Sequence, residues 1–175
     1  GGRDVFTNYQ KLLDRLWKER ILAAPEGGAL AALVSEIAED MASHENLWVP
    51  SARYAAKAAR VSRLMAAGVL TDFGTDGKIG FTHQTLFEHA LARSFAEKDG
   101  RLSAYVLGRQ ASLFIRPKMW AGLSYLREVD PQTYASELEA IWSRKDLRRH
   151  LRFLLVEFLG SQAVPLEEEV HLMES

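Results

Sequence analysis

Cysteine is absent from all 175 residues. That excludes disulfides, thiol nucleophiles and Cys-ligated zinc, and it fits a cytoplasmic protein. Long apolar runs are missing as well: none approaches the roughly 20 residues that span a bilayer, and the first residues carry no signal-peptide h-region. Neither sign of charge is in excess. The formal charge of −1 gives no global attraction to nucleic acid or to an anionic membrane. Catalytic signatures are equally scarce. Neither G-x-S-x-G nor H-E-x-x-H occurs. The nearest approach to a P-loop is Gly74-Thr75-Asp76-Gly77-Lys78-Ile79. A true G-x-x-x-x-G-K-[ST] needs glycine at 72 and Ser or Thr at 79, where this chain has Asp72 and Ile79. On this reading the chain is not an enzyme by itself and cannot bind or hydrolyse ATP alone.

What is present is ordinary for a globular protein: 47% apolar and 26% charged residues. The length suits one domain or two small ones, and a chain of this size can bury roughly 70% of its unfolded surface. Gly1-Gly2 is followed at once by a helical pattern, which suggests a piece of a longer protein.

Helical periodicity dominates. Tyr9, Leu12, Leu13, Leu16, Trp17, Arg20 and Ile21 recur at helical spacing, predicting a helix over about 7–24 that ends at Pro25 and Gly27-Gly28. Leu30, Leu33, Val34, Ile37, Ala38 and Met41 form the stripe of a second helix over 29–43, with Glu36, Glu39 and Asp40 on its wet face. Leu47-Trp48-Val49-Pro50 reads as extended, because the residue before a proline avoids the α region. Ser51 is placed to cap an alanine-rich helical segment over 52–67, with a tight turn near 55–58 and Gly68 as its C′ residue.

A β-hairpin follows: Val69–Phe73 and Lys78–Thr82, joined by Gly74-Thr75-Asp76-Gly77. The second strand runs straight into a helix, with His83 at the corner. Thr85-Leu86-Phe87-Glu88 fits a capping box, and Leu86, Phe87, Ala90, Leu91, Ser94 and Phe95 supply a buried face that ends at Asp99-Gly100. Helices are expected beyond it over 101–113, 117–128, 131–144, 146–160 and 165–173. Asp130-Pro131 opens the third of these, and Glu167, Glu168 and Glu169 favour the first turn of the last. Similar lengths and short connections suggest helix pairs stacked as a solenoid-like array. The fold class is therefore mainly α: a winged-helix domain with a small β-hairpin, then an antiparallel helical array. The order helix, short strand, helix, hairpin over 28–83 carries the winged-helix reading.

The run Phe81-Thr82-His83-Gln84-Thr85-Leu86-Phe87-Glu88-His89-Ala90-Leu91-Ala92-Arg93 resembles the segment that leaves the winged-helix domain in STAND NTPases of the NACHT type. There an aromatic–x–His–x–x–x–(aromatic or Gln)–Glu run leads into a helix of small residues, often with Ala-x-Arg. Tyr9 to Arg20 looks like the helix by which bacterial members leave the ATPase core. The resemblance covers most of residues 5–100, and about a dozen residues carry its sharpest part. It divides the chain into a connecting helix (1–27), a winged-helix domain with its exit helix (28–100) and a helical repeat-like region (101–175).

What the resemblance implies is a regulatory region of a cytoplasmic signalling ATPase, of the kind found in bacterial defence. Its partner would be the NTPase core of the same polypeptide, with homo-oligomerisation on activation and an unknown protein or ligand at the repeats. His83 would reach the β-phosphate of ADP held by that core, in a protein that uses ADP or ATP with Mg. A histidine can donate a hydrogen bond to an anion, more strongly when protonated, and the adjoining helix N-terminus favours phosphate.

Plainer readings stand beside these. His83 can be an interdomain or capping residue without a ligand. Arg53, Lys57, Arg60 and Arg63 lie three or four residues apart on the third helix of the winged-helix reading. They would contact DNA if the chain were a winged-helix transcriptional regulator. Asp72 and Asp76 on the hairpin and the acids at 36, 39 and 40 oppose that. His83, Glu88 and His89 lack recognised metal spacing. The basic run from Arg144 to Arg152 reads as a wet helix face or a partner patch. Glu137/Glu139 and Glu167–Glu169 read as solvated surface. A helical interaction scaffold is the remaining alternative.

Overall fold

The first helix, α1 (Lys11–Leu22), buries Leu13, Trp17 and Ile21 at four-residue spacing, and its last five residues, Lys18–Leu22, widen into a π turn. The computed structural model describes residues 11–74, 77–97 and 100–174. α1 ends in a corner so tight that a Cβ on Gly27 would fall 2.2 Å from the Leu22 carbonyl oxygen. Only glycine fits there. Helix α2 (Gly27–Ser43) follows, and its expected stripe from Leu30 to Met41 is buried throughout. Fully burying one such Leu or Ile side chain stabilises by about 1.5–3 kcal/mol.

Strand β1 (Val49–Pro50) leads into a 3₁₀ segment (Ser51–Lys57) and then α3 (Ala58–Ala66). The segment expected over 52–67 with a turn near 55–58 is two pieces that meet at Lys57, whose backbone is non-helical (φ −115°), and Tyr54 adds a kink within the 3₁₀ piece. Ser51 does not cap it. The residue lies inside the 3₁₀ segment, and its N–H donates to the Gly77 carbonyl at 2.7 Å. Gly68 does close α3 with a positive φ of 70°, while the N–H of Val69 reaches back to the Leu64 carbonyl at 2.9 Å.

Strands β2 (Leu70–Asp72) and β3 (Lys78–Phe81) pair antiparallel, with Leu70 opposite Phe81 and Asp72 opposite Ile79. β1 joins the other edge of β3, with Val49 opposite Ile79, so the strand order is β1-β3-β2. Thr75 and Asp76 of the expected turn lie outside the described residues; Gly74 and Gly77 on either side both have positive φ. A Cβ on Gly80 would meet the Leu47 carbonyl oxygen at 2.6 Å, so glycine lets the chain before β1 approach the sheet. Helix α4 (Gln84–Ser94) starts one residue beyond His83. The expected face of Leu86, Phe87, Ala90, Leu91, Ser94 and Phe95 is buried.

The chain divides into two units at the Leu91–Ala92 boundary. In the second, α5 (Arg101–Gly108), α6 (Ile115–Val129), α7 (Pro131–Trp142), α8 (Arg149–Gly160) and α9 (Glu167–Glu174) are joined by short connections. α5 stops five residues earlier than expected, and α8 begins three later. Asp99 lies outside the described residues, while Gly100 before α5 has a φ of 79°. Asp130 caps α7 as expected, accepting from the Thr133 N–H at 3.1 Å. α5 packs on α7, α7 on α9 and α6 on α8, besides the sequential contacts α5–α6 and α6–α7. Met119, Leu123, Tyr134, Leu138, Ile141, Leu151 and Leu155 are completely buried between these helices.

Candidate functional site

His83 occupies the step between sheet and helix. The Thr82 N–H donates to the Val69 carbonyl at 3.0 Å and fixes the chain one residue before it. The His83 carbonyl then accepts the Leu86 and Phe87 N–H groups at 3.1 and 3.3 Å, which starts α4. Its side chain is exposed. An imidazole is thus held on a short rigid corner, beside the positive end of a helix, with its ring open to whatever approaches.

The capping box is corrected. Since α4 begins at Gln84, Thr85 lies within the first turn, and Glu88 accepts from Gln84 Nε2 at 2.9 Å. His89 is buried where His83 is exposed. It is buried edge-on against the Trp17 ring with centroids 5.6 Å apart, and its Nε2 lies 3.4 Å from Asp14 Oδ1. His83 and His89 therefore do not converge. Among the described residues no group of three or more His, Asp and Glu side chains is arranged to hold a metal ion.

The four cations at 53, 57, 60 and 63 turn toward α2. Arg53 Nη1 donates to both Asp40 oxygens at 2.6 and 2.8 Å. Lys57 pairs with Glu36, while Arg60 and Arg63 share Glu26 at 3.6 and 3.2 Å. Partners fall along α2 as numbers rise along the basic segment, so the two run antiparallel as a ladder of charges. Asp40 also accepts from the Tyr54 hydroxyl at 3.0 Å. Burial pushes the Asp40 carboxyl up, but the bonds from Arg53 and Tyr54 outweigh it and leave the group below its ordinary value. Burial and the Asp40 bond push the Tyr54 phenol up. The ladder has a sequence signal: acids at 36 and 40 and bases at 53 and 57 share a four-residue spacing.

Two carboxylates expected on the solvated surface are instead buried. Glu137 retains 1% exposure, and its two oxygens accept the backbone N–H groups of Leu102 and Ser103 at 3.2 and 2.7 Å. It caps α5 from a neighbouring helix. Glu169, also 1% exposed, accepts from Arg127 Nε at 2.7 Å, the Tyr134 hydroxyl at 2.6 Å and the Leu166 N–H at 2.8 Å. Burial would raise its carboxyl, but Arg127, Tyr134 and the Leu166 N–H together hold it below the usual range. Glu139, Glu167 and Glu168 are exposed, as expected. In the basic run, Arg144 pairs with Asp146 at 2.9 Å, Arg152 lies over Trp142 and Arg149 lies over Phe153. No protein-family model, curated protein or solved structure matches this chain.

Proposed function

We propose that this chain is the regulatory region of a STAND-class NTPase of the NACHT type. In this reading residues 28–83 form a winged helix, the helices after 100 begin a solenoid-like array, and the whole couples nucleotide state to sensing and oligomerisation. The observation that carries the reading is the exposed His83 imidazole on the fixed corner between β3 and α4. The strand order β1-β3-β2, with α2 and α3 before the hairpin, supports the winged-helix part. Contacts of α5 with α7, α6 with α8 and α7 with α9 support the array, since two rows of stacked helices make such contacts.

In the protein that carries the ATPase core, His83 donates to the β-phosphate of ADP and holds the closed state. Replacing His83 by alanine then removes one charge-assisted bond. ADP affinity should fall roughly 10–100-fold, and basal activity should rise. Nucleotide retained through purification and activity without trigger are the two measurements. ADP occupancy and basal activity both unchanged in H83A would refute this role.

The DNA-binding alternative draws no support from the geometry. Arg53, Lys57, Arg60 and Arg63 would have to leave Asp40, Glu36 and Glu26 to reach phosphates.

A further inference from the structure

The net charge of −1 conceals a strongly uneven distribution. From Gly100 to Arg127 the sequence contains Arg101, Arg109, Arg116, Lys118 and Arg127 and no acidic residue. The connection between α5 and α6 lies in the middle of this stretch, and at its tip Leu113 is 90% exposed and Phe114 59% exposed. A second basic segment adjoins it. Gln110 Oε1 accepts the N–H of Arg148 at 2.7 Å, which ties the connection to the start of α8, where Arg148 and Arg149 are exposed. Along α8, Phe153 and Val156 continue outward at 58% and 53% exposure. Of the cations between Gly100 and Arg127, Arg101 pairs with Glu97, Arg116 with Glu157 at 3.8 Å and Arg127 with Glu169, away from the tip, and Asp146 beside the second segment pairs with Arg144.

We infer that the α5–α6 tip and the outer strip of α8 dock on the surface of an anionic lipid bilayer. Leu113 and Phe114 enter the headgroup boundary, and Arg109, Arg148 and Arg149 face the lipid phosphates and carboxylates. Charge complementarity selects the partner: an extended surface of one negative sign meets an apolar tip flanked by Arg109, Arg148 and Arg149. Phe114 and Phe153 suit a base or a lipid alike, but Leu113 and Val156 offer bases nothing to stack on and gain by leaving water at a bilayer. A projecting tip, unlike a groove, also suits a deformable surface. This inference is independent of the role of His83.

The test is flotation of the chain with phosphatidylcholine vesicles and with vesicles that also carry phosphatidylserine. Binding is expected only with the anionic vesicles, declining with added salt. L113S/F114S and R148E/R149E should each lower the bound fraction about tenfold, while V164S, an exposed valine on the α8–α9 connection, should bind as the parent does. Because the chain has no cysteine, F114C labelled with a polarity-sensitive dye reports insertion directly, through a blue shift on anionic vesicles. Absence of flotation with the anionic vesicles overturns the inference, as does undiminished binding of L113S/F114S. Retention of a single-stranded RNA oligomer without vesicle binding overturns it in favour of a nucleic-acid surface. Dimerisation abolished by L113S/F114S without vesicle binding overturns it in favour of a second copy of the chain.

Discussion

Glu169 draws α6, α7 and α9 together through one carboxylate. Removing it leaves Arg127 without that partner and the Tyr134 hydroxyl without an acceptor. The guanidinium keeps 22% of its exposure, so E169A should cost roughly 2–4 kcal/mol, below the figure for a fully sealed pair. Denaturant midpoints measure it. The carboxyl sits below its unfolded value, so its contribution is complete above the ordinary carboxylate range and is lost as pH falls through the folded value. Asp40 behaves in the same way. The melting temperature of the parent should therefore drop on acidification below about pH 4, and D40N/E169Q should show a flatter profile. Glu137 acts differently, as an acceptor for two backbone amides. E137A should cost about 1–3 kcal/mol, and E137Q, which keeps one acceptor oxygen, less. Asp40 shares the four-residue spacing of the ladder, but the roles of Glu137 and Glu169 were not legible in the sequence. Glu137 and Glu169 are spaced like surface residues, and what buries each is a partner 34 to 42 positions away. The exposed corner position of His83 was legible because the strand and the helix that flank it are built from adjacent residues.

At the scale of elements, local pattern was a good guide wherever one face decided the outcome. The α2 stripe, the hairpin and the Asp130 cap all follow from apolar period or turn chemistry. The π turn of Lys18–Leu22 and the 3₁₀ segment of Ser51–Lys57 were not legible as such. An alanine-rich or mixed segment has little preference among helix types, so neighbours settle it. Two adjacent glycines make the contrast measurable. G27A forces a methyl group into the Leu22 carbonyl, a backbone atom that cannot swing aside, and should cost about 3 kcal/mol or more. Gly28, one residue later in the same helix, meets nothing within 4 Å. G28A should be neutral or stabilise by up to about 1 kcal/mol. Thermal unfolding of the pair separates the corner from the helix. D130A should lower the thermal midpoint by leaving the first turn of α7 uncapped.

Over the whole molecule, charge sorts by place. In the first unit the cations of the 3₁₀ segment meet acids of α2, and those of α3 meet Glu26 just before it. In the second, a long acid-free stretch leaves cations around an apolar tip. Sequence totals average the two to near zero, which is why the balance of 22 basic to 23 acidic residues says little about partners. Aromatic residues are divided more evenly. Trp17, edge-on to His89, and Trp48, beneath Lys78, belong to the first unit. Trp120, against Phe158, and Trp142, beneath Arg152, belong to the second. Indole emission follows the local environment, so replacing either pair by phenylalanine leaves fluorescence to one unit alone. Two such variants unfolded side by side give two optical transitions from one chain, and their coincidence or separation measures how far the two units share a single cooperative melt.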